Sequence, residues 1–148
     1  MVQWFPALED HFALVHGLLA PSGLYLVSGF LRGNFPELNT LLAEVPFGHK
    51  DFPGHWEPDI AAAARKAGFG VEALETDEDR EEYPDARAFL DYIRGLGSAR
   101  RPEEGHPMTR GRLGLLMDRY QERYGADKGG GVRATWRTWY ALLAKKED

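Results

Sequence analysis

Arginine is the residue type in this sequence best placed to do chemistry. Residues 94–112 contain five arginines against two glutamates. An arginine side chain presents a planar fork of N–H donors that matches the two oxygens of a carboxylate. The stretch is therefore either a solvated basic face or a surface that meets an anion. Its arginines are Arg94, Arg100, Arg101, Arg110 and Arg112.

Carboxylates are concentrated in residues 75–85, ETDEDREEYPD, with seven acids and one arginine. A catalytic carboxylate pair needs one buried member whose pKa is raised by its surroundings. A run this dense in charge is typical of a solvated surface. The sequence also lacks a Gly-x-Ser-x-Gly nucleophile motif. We therefore assign no catalytic residue from these patterns.

The glycines and histidines match no ligand motif. A phosphate-binding loop follows a strand and opens a helix, whereas the glycine cluster at 125–132, GADKGGGV, precedes a predicted strand. We interpret it as a flexible turn. His49 and His55 share a loop with carboxylates and could in principle hold a metal. Their spacing fits no known metal motif, so we predict no metal site.

The composition limits the class of protein. The chain has 148 residues, which predicts one domain over 1–148, and 43% of them are hydrophobic. A net charge of −5 argues against nucleic-acid binding. No apolar run is long enough to span a membrane, and no signal peptide is recognisable. With no cysteine in the sequence, these features predict a cytoplasmic protein.

The hydrophobic periodicity of the first half predicts elements that alternate in type. An amphipathic helix is expected over residues 7–20, and a Pro-Ser-Gly turn ends it. The run LYLVSGF, Leu24–Phe30, predicts a buried strand because it does not alternate with charged residues. A helix is expected over Pro36–Ala43, with proline in its first turn. A further helix should stop at Gly68.

The second half continues the α/β pattern. A strand is expected over 69–75, and Asp85 and Thr109 are placed to cap the two helices that follow. The aromatic, β-branched stretch 132–144 predicts the last strand. The predicted fold class is α/β with about three strands.

The N-terminal stretch QWFPALEDHFALVHGLLAPSGLYLVSGF, residues 3–30, resembles the second half of class I S-adenosylmethionine-dependent methyltransferases. In that family the fourth strand ends in a motif close to LQWF, and a proline and a glycine precede the fifth strand. Gln3-Trp4-Phe5 and residues 18–30 stand at those positions.

Four later motifs, in order, are similar to the C-terminal half of the malonyl-[acyl-carrier protein] O-methyltransferases of biotin synthesis. The resemblance covers nearly the whole chain. The motifs are FPEL at 35–38, YIRGLGSARR at 92–101, MTRGRLGLLMDRY at 108–120 and GVRATWRTWYALLAKK at 131–146.

The resemblance implies the C-terminal part of a doubly wound, Rossmann-like sheet. The last strand should run antiparallel between the other two, with helices covering at least one face. The family's N-terminal half, with the glycine-rich loop that binds the cofactor, has no counterpart here. S-adenosyl-L-methionine is thus implied by the family but is not expected to bind this chain alone, and we do not expect the chain to be active by itself.

The family relationship also suggests site residues. The substrate would be the malonyl carboxylate, with Arg94 and Arg110 as candidates to bind it. Arg100, Arg101 and Arg112 would dock an acidic acyl-carrier protein. Substrate-binding candidates by position at strand ends are Gln3, Trp4, Ser28 and Phe30.

Three origins remain open: half of a split gene, a truncated chain, or a degenerate remnant. Half of a doubly wound sheet exposes a strand edge, here near Leu24–Phe30, and such an edge invites pairing. The partner would be a missing N-terminal half or a second copy of the chain. The alternative to a partial enzyme is a non-catalytic binding or assembly module.

Overall fold

The computed structural model describes residues 7–44, 54–96, 108–126 and 130–146. Within them the chain forms helices and strands in the predicted α/β order, which confirms the fold class. The elements are α1 (Leu8–Leu18), β1 (Leu24–Phe30), α2 (Pro36–Ala43), α3 (Glu57–Lys66), β2 (Phe69–Tyr83), α4 (Ala86–Gly95), α5 (Arg110–Tyr124) and β3 (Val132–Lys145).

The strands form one sheet in the order β1-β3-β2. β3 runs antiparallel to β1, with Leu24 opposite Ala144 and Phe30 opposite Thr138. It also runs antiparallel to β2, since Gly70 lies beside Ala144 while Glu78, further along β2, bonds to Arg137. The expected insertion of the last strand between the other two is confirmed.

By proximity of Cα atoms the chain divides into two compact units, and β2 and β3 each contribute to both. A single domain over 1–148 stays a prediction. The first unit lies within Met1–Arg32, Pro53–Glu78 and Arg137–Asp148, and the second within Gly33–Phe52 and Asp79–Trp136.

The core of the first unit lies where α1 and α3 pack on one face of the β1–β3 pair. Phe12 of α1 and Ile60 of α3 are fully buried in one cluster with Trp139. The register places Gly29 of β1 opposite Trp139. A Cβ atom on Gly29 would come within 2.8 Å of the indole ring, so glycine makes room for the largest core side chain.

The core of the second unit is aromatic. Phe35, Phe89 and Tyr120 are fully buried, with Phe35 and Phe89 ring centroids 5.4 Å apart at 72°.

The predicted N-terminal caps of α4 and α5 are both confirmed. The Asp85 side chain accepts from Ala88 N at 2.7 Å, and the Thr109 hydroxyl accepts from Arg112 N at 3.3 Å. Each cap satisfies one of the N–H groups that a helix start leaves unpaired.

The predicted end of β2 is wrong. The strand continues past residue 75, through the acidic run, to Tyr83. Among the described strands, β2 lies at the edge of the sheet and pairs with β3 alone, and its acidic side chains are exposed to solvent. Charges on an edge strand are tolerated and discourage pairing with another chain.

In the described part of the chain, no helix is both long and apolar enough to cross a membrane.

Candidate functional site

The site residues predicted in the first unit lie near the C-terminal end of β1. Ser28 is half-buried and Phe30 is buried. Ser28 pairs across the sheet with Tyr140, and Phe30 pairs with Thr138. Gln3 and Trp4 lie outside the described residues.

The arginines predicted in the second unit lie at helix ends. Arg94 is exposed in the last turn of α4, and Arg110 is exposed as the first residue of α5. Arg112 is half-buried in the first turn of α5. Arg100 and Arg101 lie outside the described residues.

Two further arginines that were not predicted as site residues lie on α5. Arg119 and Arg123 follow Arg112 at intervals of seven and four residues, which places all three along one side of the helix. That spacing was available in the sequence as a signal. We call Arg112, Arg119 and Arg123 the α5 arginine row.

Glu44 lies beside this row. It accepts hydrogen bonds from Arg119 at 3.4 Å and from Arg123. The hydrogen bond from Arg123 holds the pKa of the Glu44 carboxyl below its ordinary value. These side chains and Glu122 line a charged cleft of about 600 Å³. A carboxylate held ionised between two arginines is an ion-pair partner rather than a general acid.

A third arginine that was not predicted, Arg32, lies in the first unit just beyond β1. The Arg32 guanidinium carbon lies 5.4 Å from the centre of the Trp56 ring, within the range of a cation–π contact. Both side chains are exposed. No local pattern in the sequence predicts this pair, because the two residues are 24 positions apart and α2 lies between them.

The first unit also holds a polar pair inside its core. His11, 8% exposed, lies with its Nε2 2.8 Å from the Tyr25 hydroxyl. Burial lowers the pKa of His11 and raises the pKa of Tyr25. Burial thus favours the neutral form of each group, and the Tyr25 ring also packs against Phe69.

The described residues do not fit a nucleoside cofactor. Such a site needs a glycine-rich turn between a strand and the helix that follows it. β1 leads into α2 through Leu31–Phe35 with one glycine, Gly33, and β2 leads into α4 through Pro84 and Asp85 with none. We therefore derive no chemistry through a cofactor bound to these residues.

Comparison with solved structures defines the class of fold. The chain superposes on the crystal structure of a protein from Bacillus halodurans described as a methyltransferase, with a TM-score of 0.58 and 13% sequence identity. The match covers 97% of this chain and 60% of that one. The chain thus has part of a methyltransferase fold.

Sequence comparison supplies the particular family. The chain is 33% identical over 150 residues to the malonyl-[acyl-carrier protein] O-methyltransferase of Geobacter sulfurreducens and 27% identical over 142 residues to that of Porphyromonas gingivalis. Each match covers 95% of this chain. The chain is related to the malonyl-[acyl-carrier protein] O-methyltransferases and fits their C-terminal half, which confirms the resemblance seen in its motifs.

These matches cover nearly all of this chain but only about half of each relative. The chain spans about half the length of the curated relatives it matches, 55% of the Geobacter protein and 52% of the Porphyromonas protein. A scan against protein-family models found no match.

Proposed function

We propose that this chain forms the acceptor-side half of an enzyme that methylates the malonyl carboxylate on an acyl-carrier protein, a reaction of biotin synthesis. S-adenosyl-L-methionine would be bound by a separate half, on the same or another polypeptide. The observation that carries the proposal is similarity to malonyl-[acyl-carrier protein] O-methyltransferases along 95% of the chain.

The proposed reaction asks little acid–base chemistry of this half. A malonyl carboxylate is ionised near pH 7 and is already a nucleophile, so no general base is required. Catalysis would come from positioning and from exclusion of water. The chain's own residues would bind and orient the acceptor, in agreement with the absence of a predicted catalytic residue.

In this proposal, arginines bind the malonyl carboxylate and the acyl-carrier protein. Arg94 and Arg110, exposed at the ends of α4 and α5, are the carboxylate-binding candidates that the family resemblance suggests. The α5 arginine row, with Arg100 and Arg101, would dock the acidic carrier protein and guide its approach. Gln3, Trp4, Ser28 and Phe30 remain substrate-binding candidates by their position in the sequence.

The two edges of the sheet suggest where the other half pairs. The β2 edge carries the acidic run, and its negative charges disfavour pairing with another strand. The β1 edge, LYLVSGF, carries no charged residue. Leu24 and Leu26 are 62% and 73% exposed, so the prediction of a buried strand is wrong for these two residues. An unguarded apolar edge is suited to accept another strand. We therefore propose that the cofactor-binding half adds a strand beside β1.

A complementation assay tests both parts of the proposal. The chain is co-expressed with the N-terminal part of the Geobacter relative, and methyl transfer to malonyl-acyl-carrier protein is followed by mass spectrometry. We expect activity only when both halves are present. Activity on another acceptor but not on malonyl-acyl-carrier protein would refute the substrate assignment.

A charge on β1 provides the matched variant for the interface. Leu26→Lys should abolish co-purification of the two halves, whereas Leu14→Lys on α1, where the side chain is 60% exposed, should leave it intact. Equal effects of the two substitutions would contradict pairing at β1.

The unguarded β1 edge also favours one alternative, a non-catalytic assembly module that pairs with a second copy of itself. Sedimentation of the isolated chain separates the two functions. A stable dimer that dissociates on Leu26→Lys, together with failure of complementation, would favour the module.

A further inference from the structure

The Arg32–Trp56 pair is held by backbone bonds on both sides. Arg32 N donates to His55 O at 3.0 Å, and His55 N donates to Phe30 O at 2.9 Å. These bonds form a parallel bridge between Leu31 and His55. Because the backbone on each side is fixed, the guanidinium and the indole ring are presented together at the C-terminal end of β1.

Gly54 allows this close approach. A Cβ atom at Gly54 would come within 2.7 Å of Arg32 N and closer still to the carbonyl of Leu31. No other residue fits there without displacing the backbone. The loop that carries Trp56 is therefore shaped to meet the end of β1.

The cation–π contact between Arg32 and Trp56 does not use the hydrogen-bond donors of the guanidinium. Its five N–H groups can therefore bind an anion while the contact is kept. Two carboxylates, Glu57 and Asp59, follow Trp56 in the first turn of α3. Among the residues that the structure describes, neither they nor any other carboxylate forms an ion pair with Arg32.

We propose that Arg32, held over Trp56, is the residue that binds the free carboxylate of the acyl substrate. In doubly wound α/β sheets, ligands bind just outside the carboxyl ends of the strands, and Arg32 lies just beyond that end of β1. The identity of the acid rests on the proposed function. In this proposal Arg32, rather than Arg94 or Arg110, binds the carboxylate. The ligand that Arg32 can bind is a small anion. A malonyl carboxylate and the phosphate of the carrier's prosthetic group are the two possible sources of that anion.

Binding to the isolated chain tests the proposal without any methyl transfer. The ¹⁵N-labelled chain is titrated with malonyl-pantetheine, its methyl ester, and phosphopantetheine, and the Arg32 Nε–H and Trp56 Nε1–H signals are followed by NMR. We expect malonyl-pantetheine to shift both signals and to bind about tenfold or more tightly than the ester, which has lost the charged hydrogen-bond acceptor.

Variants assign the effect to the pair. Arg32→Lys keeps the charge but loses the planar fork, and it should weaken binding of malonyl-pantetheine about tenfold. Trp56→Leu should weaken it less. Arg65→Gln removes the same charge from an exposed position on α3 and should leave binding unchanged.

Three results would overturn the proposal. They are no shift with malonyl-pantetheine, equal or tighter binding of phosphopantetheine, and equal weakening by Arg65→Gln. Arg32 and Trp56 are exposed, so their variants should fold, and thermal unfolding checks this. A failed complementation assay with intact binding here would refute the proposed function while leaving the anion site in place.

Discussion

The Glu37 carboxylate accepts hydrogen bonds from both the backbone N–H and the hydroxyl of Thr135, at 3.0 and 2.5 Å. The two residues are 98 positions apart, and both are buried. Glu37 lies in the first turn of α2, and Thr135 lies in β3. The contact therefore joins a helix to a strand within the second unit through a buried carboxyl group.

Removal of the Glu37 side chain should destabilise the fold strongly. Glu37→Ala leaves two buried donors on Thr135 unpaired, which should cost about 2–4 kcal/mol of the free energy of unfolding. Thr135→Val removes the hydroxyl donor and leaves one buried oxygen of Glu37 without it, which should cost about 1–3 kcal/mol. Urea unfolding of the single and double variants measures the coupling between the residues. A loss no larger than that of Thr40→Ala, on the exposed side of α2, would contradict this role.

Glycine at position 29 should be required by Trp139. Gly29→Ala places a Cβ 2.8 Å from the indole and should destabilise the fold by about 1–3 kcal/mol through overpacking. Gly17→Ala is the matched control, because a Cβ there meets nothing within 4 Å. In the helix it should stabilise by up to about 1 kcal/mol. Opposite signs of the change in thermal midpoint are the expected result.

Lys145 should stabilise the C-terminal end of α1. Its ammonium donates to His16 O and Leu19 O, each at 2.9 Å, where the helix leaves carbonyls unpaired. Lys145→Met should cost about 1–2 kcal/mol, from the charged hydrogen bonds and the helix dipole. Lys66→Met, which breaks an exposed ion pair with Glu9, should have a smaller effect. Equal losses in denaturant unfolding would argue against the cap.

Acidification should destabilise the first unit through His11. Burial lowers the pKa of His11 in the folded state, so below its ordinary value near 6.5 the unfolded chain binds more protons than the folded one. The stabilising contribution of the neutral ring is thus present above about pH 6.5 and is lost as pH falls below it.

The variant His11→Gln isolates this effect. Glutamine can still reach the Tyr25 hydroxyl but does not titrate, so the loss of stability from pH 7.5 to pH 5.5 should be smaller in the variant. His55, whose pKa burial also lowers, titrates in both proteins and cancels in the comparison. Parallel stability curves would contradict the prediction.

The sequence alone predicted the features that local physics encodes. The bounds of β1 and α2 agree with the prediction, because a Pro-Ser-Gly turn and a proline in the first helical turn mark them. The caps at Asp85 and Thr109 followed from residue type and spacing. Four ordered motifs indicated the family that the comparisons then supported.

Tertiary structure decided what depends on distant segments. β2 extends through the acidic run because β3 supplies its hydrogen-bond partners, a non-local gain that outweighs weak strand propensity. The Glu37–Thr135 contact and the cation–π contact between Arg32 and Trp56 likewise join residues that no periodicity connects. Turns, caps and amphipathic faces are set within a few residues, whereas pairing and side-chain contacts between remote segments exist only once the chain has packed.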